Sequence, residues 1–280
     1  MMGPADSKTA KDMTVDDKTA DYKNWVPKGM VWGAAAATAA LALANVGLRV
    51  AGGRLSQPVL VALRYGLPLG LAASGAFTAW CALARRRFSY EGGRQLSRAI
   101  VEGVAERVCL PEGGTCLDVG CGSGALSIAV ARRNPHGRVV GVDLWGPEYA
   151  SYSQGLCEAN ARAEGVDNVS FQPADARRLP FADETFDAVT SNYVYHNIMG
   201  SDKHGLLRET LRTLRKGGSF AIHDLMGPTR YGDMQAFCRS LRDEGYESVK
   251  LIPTANGLFM GKAEATLMML SDSMLLVGVK

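Results

Sequence analysis

Polarity divides the chain into three stretches. The first 28 residues mix Lys8, Lys11, Lys18, Lys23 and Lys28 with Asp6, Asp12, Asp16, Asp17 and Asp21, and hold almost no large apolar side chain before Tyr22 and Trp25. Such a composition cannot bury a core, so residues 1–28 are expected to form a flexible polar tail. Gly29 to Leu48 and Tyr65 to Ala84 then each run for twenty residues without a charge, bounded by Arg49, by Arg64 and by the triplet Arg85, Arg86 and Arg87. A helix of that length rises about 30 Å, the thickness of a bilayer's hydrocarbon.

The expectation over 29–87 is therefore a transmembrane α-helical hairpin. Gly33 with Ala37 and Gly66 with Gly70 recur at four-residue spacing, which suits close helix approach in lipid. Arg85 to Arg87, joined by Arg94 and Arg98, form the richest basic cluster, so membrane localisation is expected with the following domain facing the cytoplasm. A pair of buried soluble helices is the alternative, because the first segment is mostly alanine. A cleavable signal peptide fits less well, since the apolar stretch starts late and a second one follows.

From residue 88 onward the period changes. Gln95 to Val108 places Leu96, Ile100, Val101, Val104 and Val108 at helical spacing. Apolar runs at 115–119, 139–142, 169–171, 186–191 and 220–223 then alternate with helical stretches at 126–133, 149–164 and 203–214. This predicts an α/β domain over 88–280, a doubly wound and mostly parallel sheet. Ser248 to Ile252 and Met274 to Val279, with no clear helix between them, fit a reversed strand pair at the sheet edge and bring the count to seven strands.

Composition narrows the partners. With 280 residues, 47% of them hydrophobic, the chain can hold one sizeable core and an appendage. Lys and Arg total 31 against 28 Asp and Glu, and a net charge of +3 gives no nucleic-acid-binding footprint. The six cysteines show no C-x-x-C spacing and read as reduced thiols, and four scattered histidines suggest no metal site.

The chemistry gathers at strand ends. Leu117-Asp118-Val119-Gly120-Cys121-Gly122-Ser123-Gly124 runs from a strand through alternating glycines into a helix, where a ligand can approach backbone N–H groups. Asp118 would repel a pyrophosphate and attract an ammonium group. Asp143 closes the next strand, where a carboxylate can accept both hydroxyls of a ribose. Asp175 and Ala176 follow the third strand and could read an adenine edge.

Together with Gly141 to Leu144, Leu179-Pro180-Phe181, Phe186 to Val189 and Leu214-Arg215-Lys216-Gly217-Gly218, these motifs resemble the class I S-adenosylmethionine (SAM)-dependent methyltransferases. The likeness is clear over roughly 95–224 and is nearest to the group holding the quinone-ring C-methyltransferases, although a membrane hairpin is not part of that pattern. It implies that SAM is the cofactor and that Asp118, Gly120 and Gly122 line its methionine end, Asp118 acting through water on the ammonium. It further implies that Asp143 takes the ribose hydroxyls, Leu144 packs on the adenine, Asp175 and Ala176 read the base edge, and Asn192 closes the pocket. Gly124 is read as a helix-packing position and Cys121 as a small filler.

Methyl transfer from a sulfonium requires the acceptor in line, and a base only where the acceptor starts protonated. Candidates at the carboxyl ends of the fourth and fifth strands are His196, His223 and Tyr193, with Tyr193 and Tyr195 also read as pocket walls and Asp224 beside His223. The expected function is a membrane-anchored, SAM-dependent methyltransferase acting on a small acceptor, a lipid-soluble one if the hairpin inserts. The alternatives are an NAD(P)-dependent oxidoreductase on the same fold and a non-catalytic SAM-binding scaffold.

Overall fold

The computed structural model describes residues 19–51, 53, 55–146 and 151–280. Residues 1–18 of the expected tail, Arg54, and the expected helix start at Tyr149 lie outside these.

Two long helices come first, α1 (Lys28–Ala51) and α2 (Gln57–Arg87), the second beginning eight residues ahead of its expected start and carrying Arg64 within it. Their side chains are largely uncovered: Trp32, Leu43, Val46, Val50, Tyr65 and Leu69 are each more than half exposed. The hairpin is joined by a polar trio, Thr38 Oγ1 lying 2.8 Å from Ser74 Oγ and 2.9 Å from Thr78 Oγ1. Of the three glycines in the expected small-residue motifs, only Gly70 meets the facing helix, a Cβ there falling 3.9 Å from Leu41. Gly33 and Gly66 face open space. The hydroxyls therefore mark the crossing better than the glycines do.

The helix α3 (Leu96–Ala105) leads into an alternating run: β1 (Thr115–Val119), α4 (Ala125–Arg133), β2 (Arg138–Asp143), α5 (Gln154–Ala163), β3 (Val169–Pro173), β4 (Phe186–Asn192), α6 (Lys203–Arg212) and β5 (Leu214–Leu225). The chain ends with α7 (Pro228–Tyr231), α8 (Met234–Asp243), β6 (Ser248–Pro253), α9 (Lys262–Leu267) and β7 (Ser273–Val279). Sheet order is β3-β2-β1-β4-β5-β7-β6, with β7 antiparallel to both its neighbours, β5 and β6, and β1 to β5 paired in parallel. The expected doubly wound sheet and reversed edge pair are both present. Sequence reading left out α8, whose buried Met234, Phe237, Cys238 and Leu241 fall at helical spacing and whose start is capped by Asp233 accepting the Ala236 N–H at 2.8 Å.

This order places the chain reversal between β1 and β4. Strands β1 to β3 build outward on one side and β4 returns to pair with β1, so the loops after β1 and β4 diverge and open a crevice at the strands' carboxyl ends.

The stretch before α1 differs from a polar tail. Residues 19–27 lie along the domain as a strap. Buried Asn160 clasps it at both ends of its amide, Oδ1 accepting the Asp21 N–H at 2.7 Å and Nδ2 donating to the Asp21 carbonyl at 3.1 Å. Trp25 packs on Phe88 and meets the Tyr193 ring edge-on, Val26 is buried, and Arg85 at the end of α2 donates to the Val26 carbonyl at 2.6 Å.

Candidate functional site

A cavity of about 690 Å³ fills the crevice and reaches under the strap. Its floor is the glycine turn after β1. Gly120, Gly122 and Gly124 all take φ between 57° and 83°, the left-handed region in which a Cβ is disfavoured. A Cβ on Gly120 would also lie 2.3 Å from Val194 Cγ2, whereas one on Gly122 would meet nothing within 4 Å. The first glycine permits close packing of the loop after β4, and the second leaves the floor open. Gly120→Ala is expected to cost about 2–4 kcal/mol from clash and backbone strain together, read as a lower urea midpoint.

Ten of the eleven residues expected at the site line this one cavity: Asp118, Gly120, Gly122, Asp143, Leu144, Asp175, Ala176, Asn192, Tyr193 and His196. They arrive from four separate strand ends. Asp143 is held by two backbone donors, Gly122 N–H to Oδ2 and Trp145 N–H to Oδ1, each at 2.9 Å, leaving its remaining lone pairs for hydroxyl donors. Trp145, which sequence reading passed over, braces this arrangement by donating from Nε1 to the Gly122 carbonyl at 2.9 Å. Leu144 leaves its apolar side chain more than half exposed beside it. Asp175 is tied to its own loop, accepting the Arg177 N–H at 2.9 Å and pairing with its guanidinium at 3.2 Å.

Asp118 is almost fully buried and accepts from two hydroxyls, Ser127 at 2.6 Å and Thr190 at 2.9 Å. Burial pushes its carboxyl up to about 6, those hydroxyl donors offsetting only part of the penalty. Among the described residues it is in no salt bridge, so a cationic ligand would supply the missing charge.

At the opposite wall His196 makes a tight hydrogen bond through Nδ1 to Asp224, whose other oxygen accepts the His196 N–H at 3.1 Å and the Tyr231 hydroxyl at 2.8 Å. Asp224 is fully buried. Burial opposes its charge, but the hydrogen bonds from His196, Tyr231 and the Leu225 N–H outweigh that and hold the carboxyl below its usual range. Nδ1 being taken, Nε2 of His196 is the ring atom left for a ligand. Sequence reading placed Asp224 beside His223; the fold gives it to His196.

His223, expected as a base, lines no part of the cavity. It is fully buried, with Nδ1 2.8 Å from Asn192 Oδ1 and Nε2 2.9 Å from Thr254 Oγ1, and burial lowers it to about 3, which keeps the ring neutral. Its contact orients Asn192, which does line the cavity. Tyr193 is a wall: its hydroxyl, raised by burial, is 2.7 Å from Ser273 Oγ, and its ring stands between Trp25 and His223. Missed altogether were Tyr22, Trp25 and Val26, which roof the cavity, the Tyr22 carbonyl accepting from Ser123 Oγ at 2.9 Å. The two aromatics were the only signal, set among alternating charges.

Residues 117–222 match a family model described as a methyltransferase domain. A 2-phytyl-1,4-naphtoquinone methyltransferase of Thermosynechococcus vestitus is 37% identical over 114 residues, 40% of this chain and 47% of that protein. A demethylmenaquinone methyltransferase of Clavibacter sepedonicus is 35% identical over 127 residues, 45% of this chain and 44% of that one. The chain thus spans about half the length of these curated relatives. Among solved structures, that of the (4+2)-cyclase SpnF aligns over 68% of this chain and 84% of that one, with a TM-score of 0.50 and 23% identity, a likeness of fold.

Proposed function

We propose that this chain, which carries a class I SAM-dependent methyltransferase domain, is a membrane-anchored methyltransferase acting on a small lipid-soluble acceptor. The observation that carries the reading is the convergence of Asp118, the open glycine floor, Asp143 and Leu144 on one crevice: a buried acid lacking a cation, an approachable backbone, a carboxylate free for hydroxyls and an apolar shelf.

Those residues fit SAM group by group, Asp118 facing the ammonium end, Asp143 the ribose and Leu144 the adenine. SAM supplies a methyl group already activated on a sulfonium. What remains for the chain is to place the acceptor, exclude water and take a proton. His196 Nε2 takes that proton from the acceptor's attacking group. Asp224 holds the ring in the tautomer that leaves Nε2 free and stabilises the imidazolium that results. His223 stays neutral and positions Asn192.

Two features support a lipid-soluble acceptor at a membrane. Lys28 to Arg49 in α1 and Arg64 to Arg85 in α2 each span about 31 Å of helix axis, so both helices separate their charges by one hydrocarbon thickness. Both relatives named above carry quinone substrates in their names, and Trp25, Val26, Phe88 and Leu225 give one end of the cavity an apolar lining.

The test uses the full chain in detergent: calorimetric binding of SAM, followed by transfer of a labelled methyl group to reduced demethylmenaquinone. Binding with transfer supports the whole reading. Binding without transfer removes the quinol acceptor, and no binding by folded protein removes the methyltransferase. SAM affinity should also fall about 10-fold between pH 7 and pH 5, because a cation binds the ionised form of Asp118. Without ligand the sign reverses. The native state keeps a proton that the unfolded chain has lost, so this group's contribution to stability declines as pH rises from 3.8 to about 6.

A further inference from the structure

The turn that follows α9 has two faces with different surroundings. Met268 and Leu270 are buried and line the cavity, whereas Leu267 and Met269, between and beside them, are 46% and 73% exposed. Met269 takes a φ of 61°, unusual for a side chain of its kind, and that twist accompanies the alternation of cavity and exterior. The turn is tied down on both sides. Leu270 donates its N–H to Ala265 at 2.7 Å, and Glu264 bridges Arg87 at 2.9 Å and Arg94 at 3.1 Å, clamping α9 to the foot of α2.

Its height along the hairpin is marked by a second contact with α2. Trp80 Nε1 donates to the Leu267 carbonyl at 2.7 Å, and Trp80 stacks on exposed Phe77. Trp80 stands five residues before Arg85, so the turn reaches about 8 Å beyond the first arginine of the triplet toward the apolar part of the helix. Trp32, in the second turn of antiparallel α1, is 73% exposed near the same end. Tryptophans at that depth are the usual neighbours of lipid headgroups, and exposed Leu and Met beside them suit the acyl boundary.

We propose that the Leu267–Leu270 turn is immersed in the bilayer as a third membrane contact, and that it sets the mouth of the acceptor cavity in lipid rather than in water. The inference rests on the hairpin spanning a membrane. An acceptor dissolved in the bilayer then passes from the Leu267 and Met269 side of the turn to the Met268 and Leu270 side without crossing solvent. This selects acceptors that partition into membranes whatever their reacting ring.

The test needs no acceptor. In a Cys109→Ser background, nitroxide labels are placed at Met269→Cys, at Leu43→Cys within the hairpin and at Lys250→Cys on β6, and the full chain is reconstituted in phosphatidylcholine vesicles. The expected result is that the labels at 269 and 43 relax with oxygen and are shielded from a water-soluble nickel chelate, while that at 250 is open to it. A label at 269 behaving like that at 250, with 43 still shielded, overturns the inference and leaves the hairpin standing. Exposure of both 269 and 43 overturns both. Separately, Met268→Cys should react at least 10-fold faster with an apolar methanethiosulfonate carried in the vesicles than with a cationic one in the buffer. Equal or reversed rates would place the mouth in water and overturn the route.

Discussion

His196→Ala is expected to lower kcat by about 100- to 10,000-fold while leaving SAM affinity within about 2-fold, the range in which a positioned general base contributes. Its ring hydrogen-bonds none of the described groups assigned to SAM and is held through Nδ1 by a carboxylate already ionised at neutral pH. Asp224→Asn should reproduce much of the loss by a different route. Four donors converge on that carboxylate, from His196 Nδ1 and N–H, Tyr231 and Leu225, and an amide in its place would turn its own N–H groups toward them. Single-turnover methyl transfer with SAM saturating reads both losses without the binding step. A His196→Ala variant that keeps its rate would move the base elsewhere or show that the acceptor needs none.

Asp143→Ala is expected to weaken SAM binding by about 100-fold or more, with the fold retained. Two hydrogen bonds from hydroxyls to a carboxylate are together worth roughly 3–6 kcal/mol, and the residue sits partly exposed at a strand end outside the core. Because Gly122 and Trp145 also donate to this group, its removal loosens the floor of the cavity as well. Asp143→Asn provides the control: it keeps an acceptor for one of the two N–H groups, so unfolding midpoints near wild type with binding still weak would assign the loss to ligand contact. Calorimetry decides this without knowledge of the acceptor. Unchanged binding in both variants would remove Asp143 from the cofactor site.

How much of this was legible along the chain depends on the separation of the partners. Strand positions were readable because each is a short apolar run, and β1 was located at Thr115 to Val119 from that alone. The glycine turn and the acids at strand ends were readable because their meaning lies in neighbouring residues. The helix α8 was readable in principle from Met234, Phe237, Cys238 and Leu241, and went unread. His223 was misplaced for a different reason: it lies one residue before Asp224, and strand alternation sends neighbouring side chains to opposite faces, so one ring enters the core while the carboxylate beside it meets His196.

The sequence by itself determined the fold class, the positions of the strands, the glycine turn with its strand-end acids and the two long apolar helices, since each follows from periodicity or from residues a few positions apart. Only the tertiary structure decided that residues 19–27 roof the cavity, that His196 pairs with Asp224, and that Leu267 meets Trp80. Those contacts join positions 101, 28 and 187 residues apart, in the order Tyr22 to Ser123, His196 to Asp224 and Trp80 to Leu267. No local pattern encodes such pairs, because they exist only once the sheet has closed and the energy of packing selects which distant surfaces meet.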